Sequence, residues 1–199
     1  MRYLAVDTET TGVDLHKKDR AFAVSMADED GNEFYYETPV STTRTVSWSK
    51  KAVSQIWKTI SQYDALVFHN AKFDIRALEL IGLPVVEKFI QGGMYEDTLL
   101  ASHVLWTDID HGLKSLARNF LGFPIGDEEA LKEAVRAARR KAPPSVVLGE
   151  KVECDFWLPK LLDPANTTCR TYAVQDAQRT IALWVLFRQA LADEGLQQP

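Results

Sequence analysis

Two carboxylates one residue apart, Asp7 and Glu9, follow the short apolar run Tyr3-Leu4-Ala5-Val6. If that run is a strand, its period of two sends both acids to one face, about 7 Å apart along the chain. Left unpaired at a partly buried strand end, they would repel and raise each other's pKa, a cost that a bound divalent cation removes. A second copy of the spacing, Asp127-Glu128-Glu129, opens a helical pattern, where acids complement the macrodipole without any chemistry.

Two further constellations add acids. His69-Asn70-Ala71-Lys72-Phe73-Asp74 follows the apolar run Ala65–Phe68. Asn70 leaves the strand end and Asp74 lies in the first helical turn, so both point to one edge of a sheet. The plain alternative is a helix cap, which Asn and Asp favour anyway. His69 reads as a satisfied structural or supporting histidine rather than a ligand. Tyr172 and Asp176 form an i, i+4 pair on a long helical pattern, with side chains about 6 Å apart on one face. Their plain alternative is a core tyrosine and an acid that is solvated or paired with Arg179 or Arg170.

The elements that must position these groups are legible in part. Tyr3–Val6 is a strand running into a loop at Gly12. Ala21–Ala27 and Glu33–Glu37 form a hairpin about Asp28-Glu-Asp-Gly-Asn32. A helix over Lys50–Gln62, capped by Ser47 or Ser49, precedes the buried strand Ala65–Phe68. The next helix carries Phe73, Ala77, Leu78 and Ile81 and stops at Gly82. Thr98–Leu105, Gly112–Leu121 and the charged run Asp127–Lys141 are three more helices, the last ended by Pro143-Pro144. Ser145–Pro164 shows no steady period. Thr167–Ala192 is one long helix with Asn166 as its cap and Ile181, Trp184, Val185 and Leu191 facing the core. The pattern is mixed α/β: a β-meander, one further strand and a helical second half.

An N-terminal strand with Asp-x-Glu, a strand-to-helix Asn-x-x-Phe-Asp and a helical Tyr-x-x-x-Asp, in that order, resembles the DEDD superfamily of 3′-to-5′ exonucleases in its DEDDy branch. Asp7-Thr-Glu-Thr-Thr-Gly12, Glu96-Asp97-Thr98 and His111-Gly-Leu-Lys-Ser-Leu-Ala-Arg118 are similar to the proofreading exonuclease domain of family A DNA polymerases. The likeness covers roughly residues 1–122 and 163–192. The sister DEDDh branch would need His where Thr171 stands. The resemblance implies a single ribonuclease H-like domain over 1–199, with a mixed five-stranded sheet flanked by helices. Residues 123–162 form a helical insertion before the last helix, of unassigned role. Its bases Arg136, Arg139, Arg140 and Lys141 read as a solvated helix end, with a phosphate-facing patch as the alternative. Trp157 reads as core, with base stacking as the alternative.

By the same resemblance, Asp7, Glu9, Asp74 and Asp176 would hold two divalent cations, Mg²⁺ or Mn²⁺, and Tyr172 would orient the attacking water. Two such ions about 3.5–4 Å apart suit phosphodiester hydrolysis, and carboxylates suit these metals. Thr8, Thr10, Thr11 and Gly12, with Asn70 and Phe73, would face the terminal nucleotide, a place in the core being the equal alternative for Phe73. The implied activity is removal of 5′-mononucleotides from DNA 3′ ends, preferably single-stranded. The rivals are an exoribonuclease of the RNase D type and a noncatalytic nucleic-acid-binding or polymerase accessory module. Retention of all five signature side chains speaks against the noncatalytic rival.

Composition is that of an ordinary globular chain, with 46% hydrophobic and 26% charged residues. The formal charge of −5 offers no basic tail for a polyanion, whereas two divalent cations would bring it to −1. No charge-free run approaches the roughly 20 residues of a membrane span, and the N-terminus fits no signal peptide. These features predict a cytoplasmic chain with no membrane partner and reduced Cys154 and Cys169. At this length a polymerase would act as a partner in trans.

Overall fold

A computed structural model describes residues 1–124 and 126–196. Ile125, inside the 123–162 stretch, and the last three residues of the 1–199 span lie outside the described residues. The five strands are β1 (Tyr3–Thr10), β2 (Ala21–Asp28), β3 (Glu33–Glu37), β4 (Ala65–Phe68) and β5 (Tyr95–Asp97), in the spatial order β3-β2-β1-β4-β5. The hairpin strands pair antiparallel, and β1–β4 and β4–β5 pair parallel, which makes the sheet mixed. β1 is central, and its pairing with β2 shifts register between Glu9 and Thr10.

The alternation along β1 decides what each face does. Leu4 and Val6 join Val24, Met26, Leu66 and Phe68 in a core under α1 (Lys50–Ile60) and α2 (Ala71–Leu80). Ala5 points the other way, into a core with Leu116, Ala177, Ile181, Trp184 and Phe187. Those residues come from α4 (Leu113–Leu121) and α7 (Thr168–Asp193), with α3 (Thr98–Leu105) packed beside them. Continuing the period of two, Asp7 and Glu9 fall on the α7 face and Thr8 on the α2 face.

The sequence expectations hold for β3, β4, α3 and α5 (Asp127–Lys141) at their stated bounds. Ser49 caps α1 by accepting from the Ala52 N–H at 3.1 Å. That helix ends two residues before Gln62, because Ser61 and Gln62 turn back on Trp57 and Thr59. Gly122 closes α4 in the left-handed conformation (φ 70°), which glycine adopts without a Cβ clash. The start of α7 is bound by Asn166, whose Oδ1 accepts from the Thr168 N–H at 3.1 Å. The fifth strand, implied only by the family likeness, is the three-residue β5.

The 123–162 stretch builds α5, a 3₁₀ turn at Val152–Asp155 and the short α6 (Leu158–Leu162). Leu131, Val135 and Ala138 form the buried stripe of α5 and pack with Phe156, Trp157 and Leu158 against Phe22, Ala23 and Cys169. Trp157 is only 4% exposed and donates its indole N–H to Cys154 O, so it belongs to this core. Arg139 pairs with the buried Asp155 at 2.7 Å, and Arg136 with Glu129 at 2.6 Å. Two of the four bases of the expected helix end are therefore engaged within the chain. Cys169 is buried and Cys154 partly so, both unpaired.

Candidate active site

The acids expected from sequence meet at the end of β1. Burial raises Asp7 well above the carboxylate range, and the charges of Asp74, Glu9 and Asp176 raise it further. Glu9, 8% exposed, is pushed up to about 8, first by burial and then by Asp176. Burial also lifts Asp74 to about 7. Burial raises Asp176 as well, against the lowering charges of Lys114 and Arg179. Asp7 and Glu9 of β1 therefore lie within the fields of both Asp74, from α2, and Asp176, from α7.

The two flanks hold their acids differently. Asp74 Oδ1 accepts from the Thr8 N–H at 3.0 Å and the Thr8 hydroxyl at 2.6 Å, both neutral donors. Asp176 instead meets two cations. Arg179 Nη1 donates to its Oδ1 at 2.7 Å, and Lys114 Nζ lies 3.4 Å from its Oδ2. Arg179 is fully buried and also spans Asp127, at 2.7 and 2.8 Å, and Pro124 O. This realises one plain alternative for Asp176, its pairing with Arg179, in addition to its place among the acids. Asp127 and Glu128 do more than complement the α5 dipole, since Asp127 binds Arg179 and Glu128 binds Lys114 at 3.2 Å.

Tyr172 is half-buried, one turn before Asp176. Its hydroxyl accepts from Lys114 Nζ at 2.8 Å, which leaves the phenolic hydrogen free to donate. Burial and the charges of Glu9, Asp176 and Asp7 push its pKa up, so it remains a phenol. Phe156 of the 123–162 stretch packs edge-on against the ring, with centroids 5.4 Å apart. Ser25, opposite Asp7 in the sheet, donates to Ala173 O at 2.8 Å and ties this part of α7 to β2.

The residues expected to face a substrate divide. Thr8 and Thr11 are buried, and their hydroxyls are directed to Asp74 and Asp19, while Thr10 donates to Gly12 O at 2.7 Å. Gly12 is buried against Asp19, and a Cβ there would lie 2.4 Å from Asp19 Oδ2, so no larger residue fits. The residue this turn exposes is Val13, at 82%. Asn70 is exposed in the left-handed conformation (φ 74°), and its side chain makes no cap hydrogen bond. Phe73 is half-buried beside Leu15, Ala21 and Ala77. His69 fits its structural reading: burial lowers it to about 4 and its Nδ1 meets Thr98 Oγ1 at 2.9 Å.

Five further residues organise the site. Asp97 replaces Asn70 as the cap of α2 by accepting from the Asn70 and Ala71 N–H groups, and it caps α3 through Leu99 and Leu100. Asp19 holds the turn after β1 through the Asp14 N–H at 2.9 Å. Arg44, at the strained φ of 61°, donates to Thr11 O. Lys114 and Arg179 complete the set. The motif stretches containing Asp97 and Lys114 mark both residues, but only the tertiary contacts assign them work.

The donors present are all oxygen, the chemistry that suits Mg²⁺ or Mn²⁺. Among the described residues, no three His, Cys, Asp or Glu side chains are gathered closely enough to hold a metal ion as they stand. As they stand, Asp74 is bonded to Thr8, and Asp176 to Lys114 and Arg179. The donor set fits a divalent cation by its chemistry.

The sequence profile described as 3′-5′ exonuclease matches residues 1–192, and the chain belongs to that family of exonuclease-type hydrolases. Among individual proteins, it is 26% identical over 198 residues to the DNA polymerase DpoZ of Salmonella phage PMBT28, covering 98% of this chain and 28% of that polymerase. It is 32% identical over 111 residues to DpoZ of Acinetobacter phage SH-Ab 15497, covering 56% of this chain and 16% of the relative. The chain thus spans less than a third of these relatives. Its fold is shared with Brucella melitensis NrnC (TM-score 0.56, 22% identity, 98% of this chain and 76% of that one). It is also shared with the family B DNA polymerase of Pyrobaculum calidifontis (TM-score 0.59, 16% identity, 94% and 24%). No helix among the described residues is long and apolar enough to cross a membrane.

Proposed function

We propose that this chain is a metal-dependent 3′-to-5′ exonuclease that acts on DNA 3′ ends, preferably single-stranded, and releases 5′-mononucleotides. The observation that carries this reading is the placement of Asp7 and Glu9 of β1 within the fields of Asp74 from α2 and Asp176 from α7, in a chain whose residues 1–192 match the 3′-5′ exonuclease profile. Repelling acids kept together in a buried place are what a cation site for a polyanionic substrate requires. DNA is the proposed substrate because the curated relatives are named DNA polymerases. A DNA polymerase is the proposed partner.

Asp7, Glu9, Asp74 and Asp176 would hold Mg²⁺ or Mn²⁺, which when bound would activate water and stabilise charge at phosphorus and at the leaving oxygen. Tyr172 supplies a neutral hydroxyl, held from behind by Lys114, that donates to the attacking water and fixes its direction. That water oxygen bonds to phosphorus and the phosphorus bond to O3′ of the penultimate nucleotide breaks. The products are a 5′-mononucleotide and a strand with a new 3′-hydroxyl. Asn70 and Phe73, at the exposed start of α2, border the approach of the terminal nucleotide.

The test is a Mg²⁺ assay on matched DNA and RNA single strands labelled at either end. Mononucleotides from the 3′ end of DNA, absent with EDTA and with Asp7→Ala, are the expected result. Persistence of the full-length strand, or equal cleavage by Asp7→Ala, would overturn the reading. Faster loss of the RNA strand would replace DNA by RNA as the substrate.

A further inference from the structure

One cation already stands where the carboxylates converge. Lys114 Nζ is 2.8 Å from Tyr172 Oη, 3.4 Å from Asp176 Oδ2 and 3.2 Å from Glu128 Oε2. It also lies 4.1 Å from the Tyr172 ring centroid. Its charge lowers the pKa of Asp7, Glu9 and Asp176, against the other influences that raise them. Arg179, the other cation on Asp176, is fixed by burial and by four hydrogen bonds to Asp127, Asp176 and Pro124. Lys114 is not fixed in this way. It has a four-carbon stem, and its Nζ already bridges to a second carboxylate, Glu128, on the helix of the 123–162 stretch. Glu128 is itself held by Lys132 at 2.5 Å, and Lys132 is held by Glu153 at 3.2 Å.

An ammonium and a divalent cation repel, so both cannot rest against the same Asp176 oxygen. We propose that Lys114 is the resident counter-ion of the metal-free carboxylate cluster and that Glu128 is the seat to which it withdraws when metal binds. The ammonium carries three donors, so it can leave Asp176 while keeping the Tyr172 hydroxyl. Glu128 acts through Lys114 and is a positioning residue. By this route the inserted helix sets how readily the site takes up metal. The inference rests on the metal-dependent reading of the site given above.

The two residues should shift metal affinity in opposite directions. Mn²⁺ binding is measured without nucleic acid, by calorimetry or by the spin resonance of free Mn²⁺. Lys114→Met should bind Mn²⁺ roughly tenfold more tightly, since a competing charge is gone. Glu128→Gln should bind it roughly tenfold more weakly, since the lysine loses its other seat. In the double variant the Glu128→Gln effect should vanish. Circular-dichroism melts should show Lys114→Met destabilised in EDTA and restored by Mn²⁺; if that variant does not fold, Lys114→Gln carries the same test. Shifts of like sign, or a Glu128→Gln effect that persists without Lys114, would overturn the proposal. Wild type that neither binds Mn²⁺ nor cleaves would overturn the functional reading itself. Wild type that does both, with variants of the wrong sign, would overturn only this inference.

Discussion

The sheet side and the helix side of the carboxylate cluster solve the same electrostatic problem by different means. On the sheet side, Asp7, Glu9 and Asp74 are held by the strand face and by neutral Thr8 donors, and all three are raised in pKa. On the helix side, Asp176 is compensated by Arg179 and Lys114. One flank thus pairs its acid directly with cations of the chain, while on the other the field of Lys114 only partly offsets burial and repulsion, and protons or an external cation must supply the rest. The flank without a direct cationic partner is the one that has more to gain from binding metal.

The largest expected effect breaks the compensated flank. Arg179→Met would leave Asp127 without its partner and Asp176 with Lys114 alone, and should cost about 3–5 kcal/mol in urea unfolding. A cost below about 1 kcal/mol would mean that the pair is not buried as described. On the uncompensated flank, Asp7→Asn should lower single-turnover cleavage by about 10³-fold, as expected for loss of a group that organises charge at the reaction centre. The same change should leave the EDTA melting temperature unchanged or higher, because it removes a repelling acid; a clear drop would contradict the repulsion.

The pH dependence follows from the direction of the shifts. Glu9 and Asp74 bind protons more tightly folded than unfolded, so their contribution is full below the ordinary carboxylate range and is lost as pH rises through about 7 to about 8. In EDTA the melting temperature should therefore fall by about 5 °C or more from pH 5 to pH 8, and Mn²⁺ should reverse the fall at pH 8. A flat EDTA profile would erase the contrast between the flanks. Tyr172→Phe should slow cleavage about tenfold while leaving Mn²⁺ affinity within about twofold. Equal loss of both would move Tyr172 from water positioning to metal support. The smallest effect belongs to Thr8→Val, which removes one hydroxyl donor from Asp74 and should cost about 1 kcal/mol.

What was legible in the sequence was what repeats along the chain. β1, the hairpin, α1 and α7 were readable from their apolar runs and periods, and α5 from its early acids, late bases and the prolines that end it; Asp7, Glu9 and Asp74 stood out because they follow apolar strand runs. β5 was not, since three residues are too few to show a period. Lys114 and Arg179 were marked only weakly. Lys114 lies 58 residues from Tyr172 and Arg179 lies 52 from Asp127, and no local pattern encodes such pairs. The turn residues named for the substrate have structural contacts of their own. Thr8, Thr11 and Gly12 are short and polar like a binding turn, yet their contacts with Asp74 and Asp19 are what shape it. Ser145–Pro164 resisted reading because its elements are four or five residues long and are fastened by Asp155, which accepts from Gly149 and Arg139.

Asp97 carries a consequence for how the edge of the sheet is aligned. A strand of three residues has little side-chain pattern with which to choose its register, and a slip of one place would turn every side chain to the opposite face. Here such a slip would carry the carboxylate away from the Asn70 and Ala71 amides, 27 and 26 residues distant along the chain, and uncap α2. The start of α2 is therefore tied to the strand's alignment, and Asp74, one turn into α2, inherits the accuracy of a residue that lies outside the carboxylate cluster.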